Sequence, residues 1–148
     1  MGKVTRTLKE VPLEWLRPYE NNPRIIDRAV PLVEESIRQV GYITPIVADD
    51  EGVILAGHTR FAALKEIGVE KAQVLIVSGA TEEQKKKYRL LDNKTGEIAT
   101  WDSVMLKIEL ADVDFGGFDF GQPDFSKIDD PQLEVKIMCP RCGAEVTA

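Results

Sequence analysis

The stretch VILAGHTRFAALKEIG, Val53 to Gly68, joins an apolar run to a glycine, the chain's one histidine and an arginine, then a helical pattern that closes on a second glycine. It reads as a short strand, a turn at Gly57 and a helix. A glycine at that turn has no Cβ, so backbone N–H groups can approach a ligand closely. A helix starting at His58 or Thr59 presents unpaired N–H groups and the positive end of its dipole. Arg60 falls in the first turn, where a side chain points back toward the helix start and reaches an anion there. The spacing fits two readings. One is an ordinary strand-turn-helix seam, with Arg60 paired to a carboxylate and His58 structural. The other is a cradle for phosphate.

Upstream, Val4 to Val11 reads as a strand with a continuation to Trp15 and Leu16. The loop RPYENNPR follows, and its NNPR, Asn21 to Arg24, is turn chemistry because Asn before Pro leaves the α region. Val30, Val33, Ile37 and Val40 then mark one apolar helical face. Asp27 is the expected N-cap, Pro31 sits in the first turn, and Gly41 stands just past the end. ITPIVADDEGVILAG predicts a hairpin turning at DDEG. Downstream, Gln73 to Val77 reads as a buried strand, Thr81 and Gln84 as the capping box of a helix, and Asp102 to about Leu110 as a further helix. Strand, helix, hairpin, helix, strand, helix is an α+β order: a mixed sheet flanked by helices, over residues 1–110.

The chain has 148 residues, 43% hydrophobic and 30% charged, enough for one core and a small appendage. No apolar run reaches the roughly 18 residues that cross a bilayer, and the start MGKVTR lacks both a signal-peptide stretch and the myristoylation pattern. A soluble cytoplasmic protein without membrane contact is expected. The net charge is −6, unevenly placed: residues 1–108 hold 16 basic and 16 acidic side chains, whereas residues 109–134 hold eight acidic and one lysine. The main body is therefore neutral, and charge argues neither for nor against nucleic acid there.

Residues 111–134 set Phe115, Phe118, Phe120 and Phe125 among acids and glycines, as anchors on the body or as contacts for a protein partner. Residues 135–148 carry Cys139 and Cys142 in CPRCG, metal or redox spacing and half of a zinc knuckle. Four ligands are wanted, so either two chains share one zinc or the knuckle folds without metal. The run KKKYR is either a solvated helix face or, if DNA is bound, a set of phosphate contacts through Lys85, Lys86 and Arg89, with Arg60 joining them.

GHTRFAAL, with the preceding TPIVADDEGVIL, the upstream NNPR and the downstream RLLDN, resembles the N-terminal domain of ParB-type partition proteins in the ParB/sulfiredoxin superfamily. The likeness runs from about Val4 to Asp102. It implies that Gly57 and Arg60, matching the family's G-E-R-R segment, hold a nucleoside triphosphate, with His58 and Thr59 in the intervening places. Asn22, Pro23 and Arg24 would flank the nucleotide, and Thr44 stands where the base-binding glutamine falls in ITPI. Asp92 and Asn93 fit the E-N-x-x-R motif that assists Mg²⁺ and phosphate, while Gly96 replaces its arginine.

A sulfiredoxin-like repair activity is not expected, because His58 stands where its cysteine follows the motif glycine. GHTR is also similar to the G-H-H-R segment of free-serine kinases, for which Glu20 is the candidate carboxylate. Similar segments occur ahead of phage-type DNA methyltransferases and in domains labelled as nucleases. The expectation is thus a ParB-like protein of phage or plasmid type that binds CTP or ATP with Mg²⁺, a candidate nucleotide hydrolase acting on or near DNA. The alternatives are a non-catalytic interaction module, a metal-dependent nuclease and a small-molecule kinase. A homodimer is compatible with all of them.

Overall fold

The turn expected at DDEG is built by its first aspartate. Asp49 Oδ1 accepts the N–H groups of Glu51 and Val53 at 3.0 and 2.9 Å, and Gly52 supplies the positive φ of 84° that closes the turn. A Cβ on Gly52 would collide with the Trp15 carbonyl, so the turn also fixes how closely the chain after the first strand can pass. Burial alone would raise the Asp49 pKa, but Lys85, 3.0 Å from Oδ2, and the two N–H donors more than offset it and hold the carboxyl below its usual value.

The computed structural model describes residues 3–114, 136–138 and 145–147. The chain divides into two compact units, Met1–Asp102 and Ser103–Ala148. The first contains β1 (Thr5–Pro12), α1 (Val30–Val40), β2 (Ile46–Asp49), β3 (Ile54–Ala56), α2 (His58–Ile67), β4 (Lys71–Ser78) and α3 (Glu82–Ile98). The sheet order is β1-β4-β2-β3, with β4 antiparallel to β1 and parallel to β2, and β2 and β3 forming the hairpin. This is the mixed α+β sheet with flanking helices that the order of elements predicts.

One sheet face is the core. Ile46, Ala48, Ile54, Ala72, Val74 and Ile76 alternate inward and are buried, joined by Phe61 and Leu64 of α2 and by Ile37 of α1. Apolar residues at these alternating positions bury their area against helices, the dominant stabilising effect in such a layer. The Thr81 capping box forms as expected, with Thr81 Oγ1 accepting from Gln84 N and Gln84 Oε1 accepting from Thr81 N. β1 occupies a sheet edge and is exposed along nearly its whole length.

Three local expectations differ. The first strand ends at Pro12, and Leu13–Trp15 form a 3-10 turn instead of a continuation. That turn buries Leu13 and Leu16, and Leu13 N donates to the Glu70 carbonyl at 2.8 Å. Asp27 does not cap α1: Ala29 is the N-cap residue, and the Ile26 carbonyl already accepts from the N–H groups of Ala29 and Val30. The strand expected from Gln73 begins two residues earlier, because β1 pairs with it as far as Pro12 against Lys71.

The second unit contains α4 (Ser103–Ala111) and a short antiparallel pair, β5 (Lys136–Met138) with β6 (Glu145–Thr147). The division places α4 with this unit, whereas composition sets the boundary after Leu110. Phe115, Phe118, Phe120, Phe125, Cys139 and Cys142 lie outside the described residues, and with them the expected acidic segment and zinc knuckle. No helix among the described residues is long and apolar enough to cross a membrane.

Candidate functional site

Gly57 is the N-cap of α2, in the left-handed region with φ 99° and ψ 28°, and no side chain caps the helix. The first intrahelical bond, Phe61 N to the Gly57 carbonyl, leaves the N–H groups of His58, Thr59 and Arg60 as donors at the positive helix end. Arg60 folds back over this end. Its guanidinium packs where a Cβ on Gly57 would stand, 2.9 Å from Nη2 and 3.2 Å from Cζ and Nε. Nη2 donates to the Pro45 carbonyl at 3.3 Å, while Nε is buried with no hydrogen-bond partner among the described residues. A buried guanidinium N–H without an acceptor is costly, and an acceptor group supplied by a ligand removes that cost.

The loop before α1 forms the opposite wall. Asn22 Oδ1 accepts the Arg24 N–H at 3.3 Å, and Arg24 Nη1 donates to Asn93 Oδ1 at 3.1 Å. Asn93 Nδ2 in turn donates to the Arg89 carbonyl at 2.8 Å, which fixes the amide on α3. Asn22, Arg24, Gly57, His58, Thr59, Arg60, Asp92 and Asn93 thereby line one cleft of about 320 Å³, with Ile26, Ala29 and Val33 as its apolar floor. Eight residues selected by sequence from three separate segments meet in one place. Among the described residues lining this cleft Asp92 is the one carboxylate, and Arg24 and Arg60 line it too.

His58 ties the two walls together. Its Nε2 accepts the Tyr19 N–H at 3.1 Å, so the neutral ring carries its proton on Nδ1. Burial pushes the His58 pKa down, and the Arg89 charge pushes it the same way. Both effects keep the ring an acceptor near neutral pH.

The remaining sequence-selected residues lie elsewhere. Thr44 is exposed and does not line the cleft, although its neighbour Pro45 supplies the carbonyl that holds Arg60. Glu20 is exposed and likewise outside the lining. Lys85 is engaged with Asp49 and Glu82, and Lys86 is exposed. Arg89 corrects the expectation of a surface cation: it is 6% exposed, its Cζ lies 3.7 Å from the centroid of the Tyr19 ring, and its Nε donates to the Ile54 carbonyl at 3.3 Å. That stack is a desolvated cation–π contact and leaves no side chain to meet a DNA phosphate. Sequence reasoning misses Tyr19, whose only signal is a lone aromatic in a polar loop. Among the described residues no group of three or more His, Cys, Asp and Glu is placed to hold a metal.

The chain is 38% identical over 78 residues to the ParB-like nuclease domain-containing protein YnaK of Escherichia coli strain K12, covering 51% of this chain and 88% of that protein. Its fold is similar to the C-terminally truncated chromosome-partitioning protein ParB from Caulobacter crescentus, solved in complex with CTP-gamma-S, with a TM-score of 0.60, 20% identity, and 70% and 60% of the two chains covered. A Pnob8-like ParB-N domain matches with a TM-score of 0.54 and 16% identity over 98% of this chain and 58% of that one. The chain thus spans about three fifths of both solved structures. The family model of the ParB N-terminal domain covers residues 2–94, from the edge strand to the Asn93 that closes the cleft, and the chain belongs to that family.

Proposed function

We propose that this chain binds a nucleoside triphosphate in the cleft at the start of α2, with the phosphates against Gly57 to Arg60. The observation that carries the reading is the Arg60 Nε, buried and without an acceptor among the described residues, at a helix N-terminus that no side chain of these residues caps. A phosphate oxygen there meets the guanidinium and the free N–H groups together, and the helix dipole adds to their field. Arg24, held by Asn93, supplies a second positive charge across the cleft.

The donor set fits Mg²⁺ arriving with the nucleotide. Mg²⁺ takes most of its oxygens from water and phosphate and needs one or two carboxylates from the protein, a place Asp92 fills. When bound, the ion would neutralise charge on the phosphates; Asp92 would hold it, and the arginines would orient the chain of phosphates. Asn93 serves by positioning Arg24. The ligand of the Caulobacter crescentus fold neighbour makes CTP the first nucleotide to try, with ATP second.

Calorimetric titration with CTP, ATP and GTP, each with Mg²⁺, tests this alongside Arg60→Ala. Saturable binding of one nucleotide is expected, weakened at least tenfold by the substitution, since a hydrogen bond to a charged group contributes about 1.5–3 kcal/mol. Phosphate release from the bound nucleotide is then measured to decide whether the chain is a hydrolase. No binding by the folded wild-type chain would reject the proposal.

A further inference from the structure

β1 pairs with β4 on one side, and among the described residues no strand pairs with its other edge. Its residues Thr5 to Glu10 are all exposed, Leu8 at 52%, and no proline interrupts it before Pro12. A long edge strand with a free row of N–H and C=O groups and an apolar centre is a template for another strand.

The side chains select which one. In antiparallel pairing, a residue whose N–H and C=O point at the neighbour faces a residue that points back. If β1 pairs with β1 of a second copy about a twofold axis, facing residues must have the same parity. The axis then passes through a residue and not between two.

An axis at Thr7 would set Arg6 against Leu8 and Val4 against Glu10. An axis at Lys9 would set Lys9 against Lys9 and Leu8 against Glu10. An axis at Leu8 sets Leu8 against Leu8, Thr7 against Lys9, Arg6 against Glu10 and Thr5 against Val11 on both sides of the axis. Cross-strand opposite charges and apolar pairs stabilise, and like charges oppose. Of these three axes, only the one at Leu8 sets opposite charges together and also pairs leucine with leucine, with like charges nowhere opposed. Arg6 and Glu10 form no ion pair among the described residues, so both are available. Leu8 also stands opposite Leu75 of β4, so an apolar row on that face would run on through the axis.

We propose that two copies of this chain pair antiparallel through β1 about a twofold axis at Leu8, joining their sheets into one. Arg6 and the partner's Glu10 set the register, and the two Leu8 side chains form its centre. Neither the cleft nor its ligand is needed for this contact, so it stands apart from the nucleotide reading.

Sedimentation equilibrium of the full chain over a range of concentrations tests it, with Arg6→Glu, Glu10→Arg and the double exchange. The wild type is expected to be a reversible dimer. Each single reversal sets like charges together at two places and should raise the dissociation constant by roughly tenfold or more, and the double exchange should restore it. Circular dichroism checks that each variant is folded.

Leu8→Cys, with Cys139 and Cys142 replaced by serine, gives a second reading that does not depend on the charges. Facing residues in an antiparallel pair have Cα atoms about 4.5–5.5 Å apart, within disulfide range, so oxidation should cross-link the dimer. A wild type that stays monomeric, a dimer indifferent to the reversals, a double exchange that fails to restore it, or no cross-link in the Leu8→Cys variant would each overturn the proposal.

Discussion

A methyl group on Gly57 would have to share space with the Arg60 guanidinium, 2.9 Å from Nη2, and would stand on a backbone at φ 99°. Gly57→Ala should therefore destabilise the chain by about 1–3 kcal/mol in urea denaturation and also displace Arg60 from the cleft. Nucleotide affinity should fall in the variant even at urea-free conditions where it remains folded. His58 gives a pH signature. Its folded pKa lies below the ordinary value near 6.5, so as pH falls through about 6.5 the unfolded chain takes up the proton first and stability drops. The loss continues down to the folded pKa and then stops. His58→Gln, which keeps an acceptor without titrating, should flatten the thermal midpoint over that window; an unchanged slope would remove His58 as its source. Gly57, His58 and Arg60 were legible as a group because their spacing on a strand-turn-helix forces them together. Arg89 was not, because it closes the basic run KKKYR and its partner is Tyr19, in a loop 70 residues away.

At the scale of the elements, the β2–β3 turn and α3 depend on the same carboxylate. Asp49 accepts two turn N–H groups through Oδ1 and Lys85 through Oδ2. Asp49→Ala leaves the turn donors without an acceptor and Lys85 with the exposed Glu82 alone, and should cost about 3 kcal/mol; Asp49→Asn keeps the turn acceptor and should cost less. Denaturant titrations of the two variants separate the contributions. In the wild type, the Asp49 carboxylate stabilises the fold above its unfolded pKa, and this contribution is lost as pH falls through the lower folded value. The hairpin, the capping box and the helices were legible because each has a local signal: a DDEG turn, Thr81 with Gln84, a 3.6-residue apolar period. The start of α1 and the turn after Pro12 were not. The turn after Pro12 is tied to a distant partner, the Glu70 carbonyl, and α1 starts on the Ile26 carbonyl, a backbone acceptor that any residue type supplies, so neither has a residue-specific local signal.

For the whole molecule, the unit Met1–Asp102 holds the four-stranded sheet, the core and the eight sequence-selected residues of the cleft. A fragment ending at Asp102 should unfold cooperatively and retain Arg60-dependent nucleotide binding; an unfolded fragment by NMR would show that the second unit is required. Ile46 and Val74 are fully buried and face each other across β2 and β4. Ile46→Ala should cost about 2–5 kcal/mol, measured by denaturant unfolding, because the sheet and helices around it cannot collapse into the space.

The bond from the Tyr19 N–H to His58 Nε2 spans 39 positions of sequence and ends on a titratable atom. Protonating that nitrogen turns the acceptor into a donor, and the amide hydrogen of Tyr19 loses its shelter. Its exchange with deuterated solvent, corrected for the intrinsic dependence on pH, would then quicken in acid while the amides of β4 stayed protected. One backbone hydrogen would thus serve as a gauge of whether the wall of the cleft is fastened.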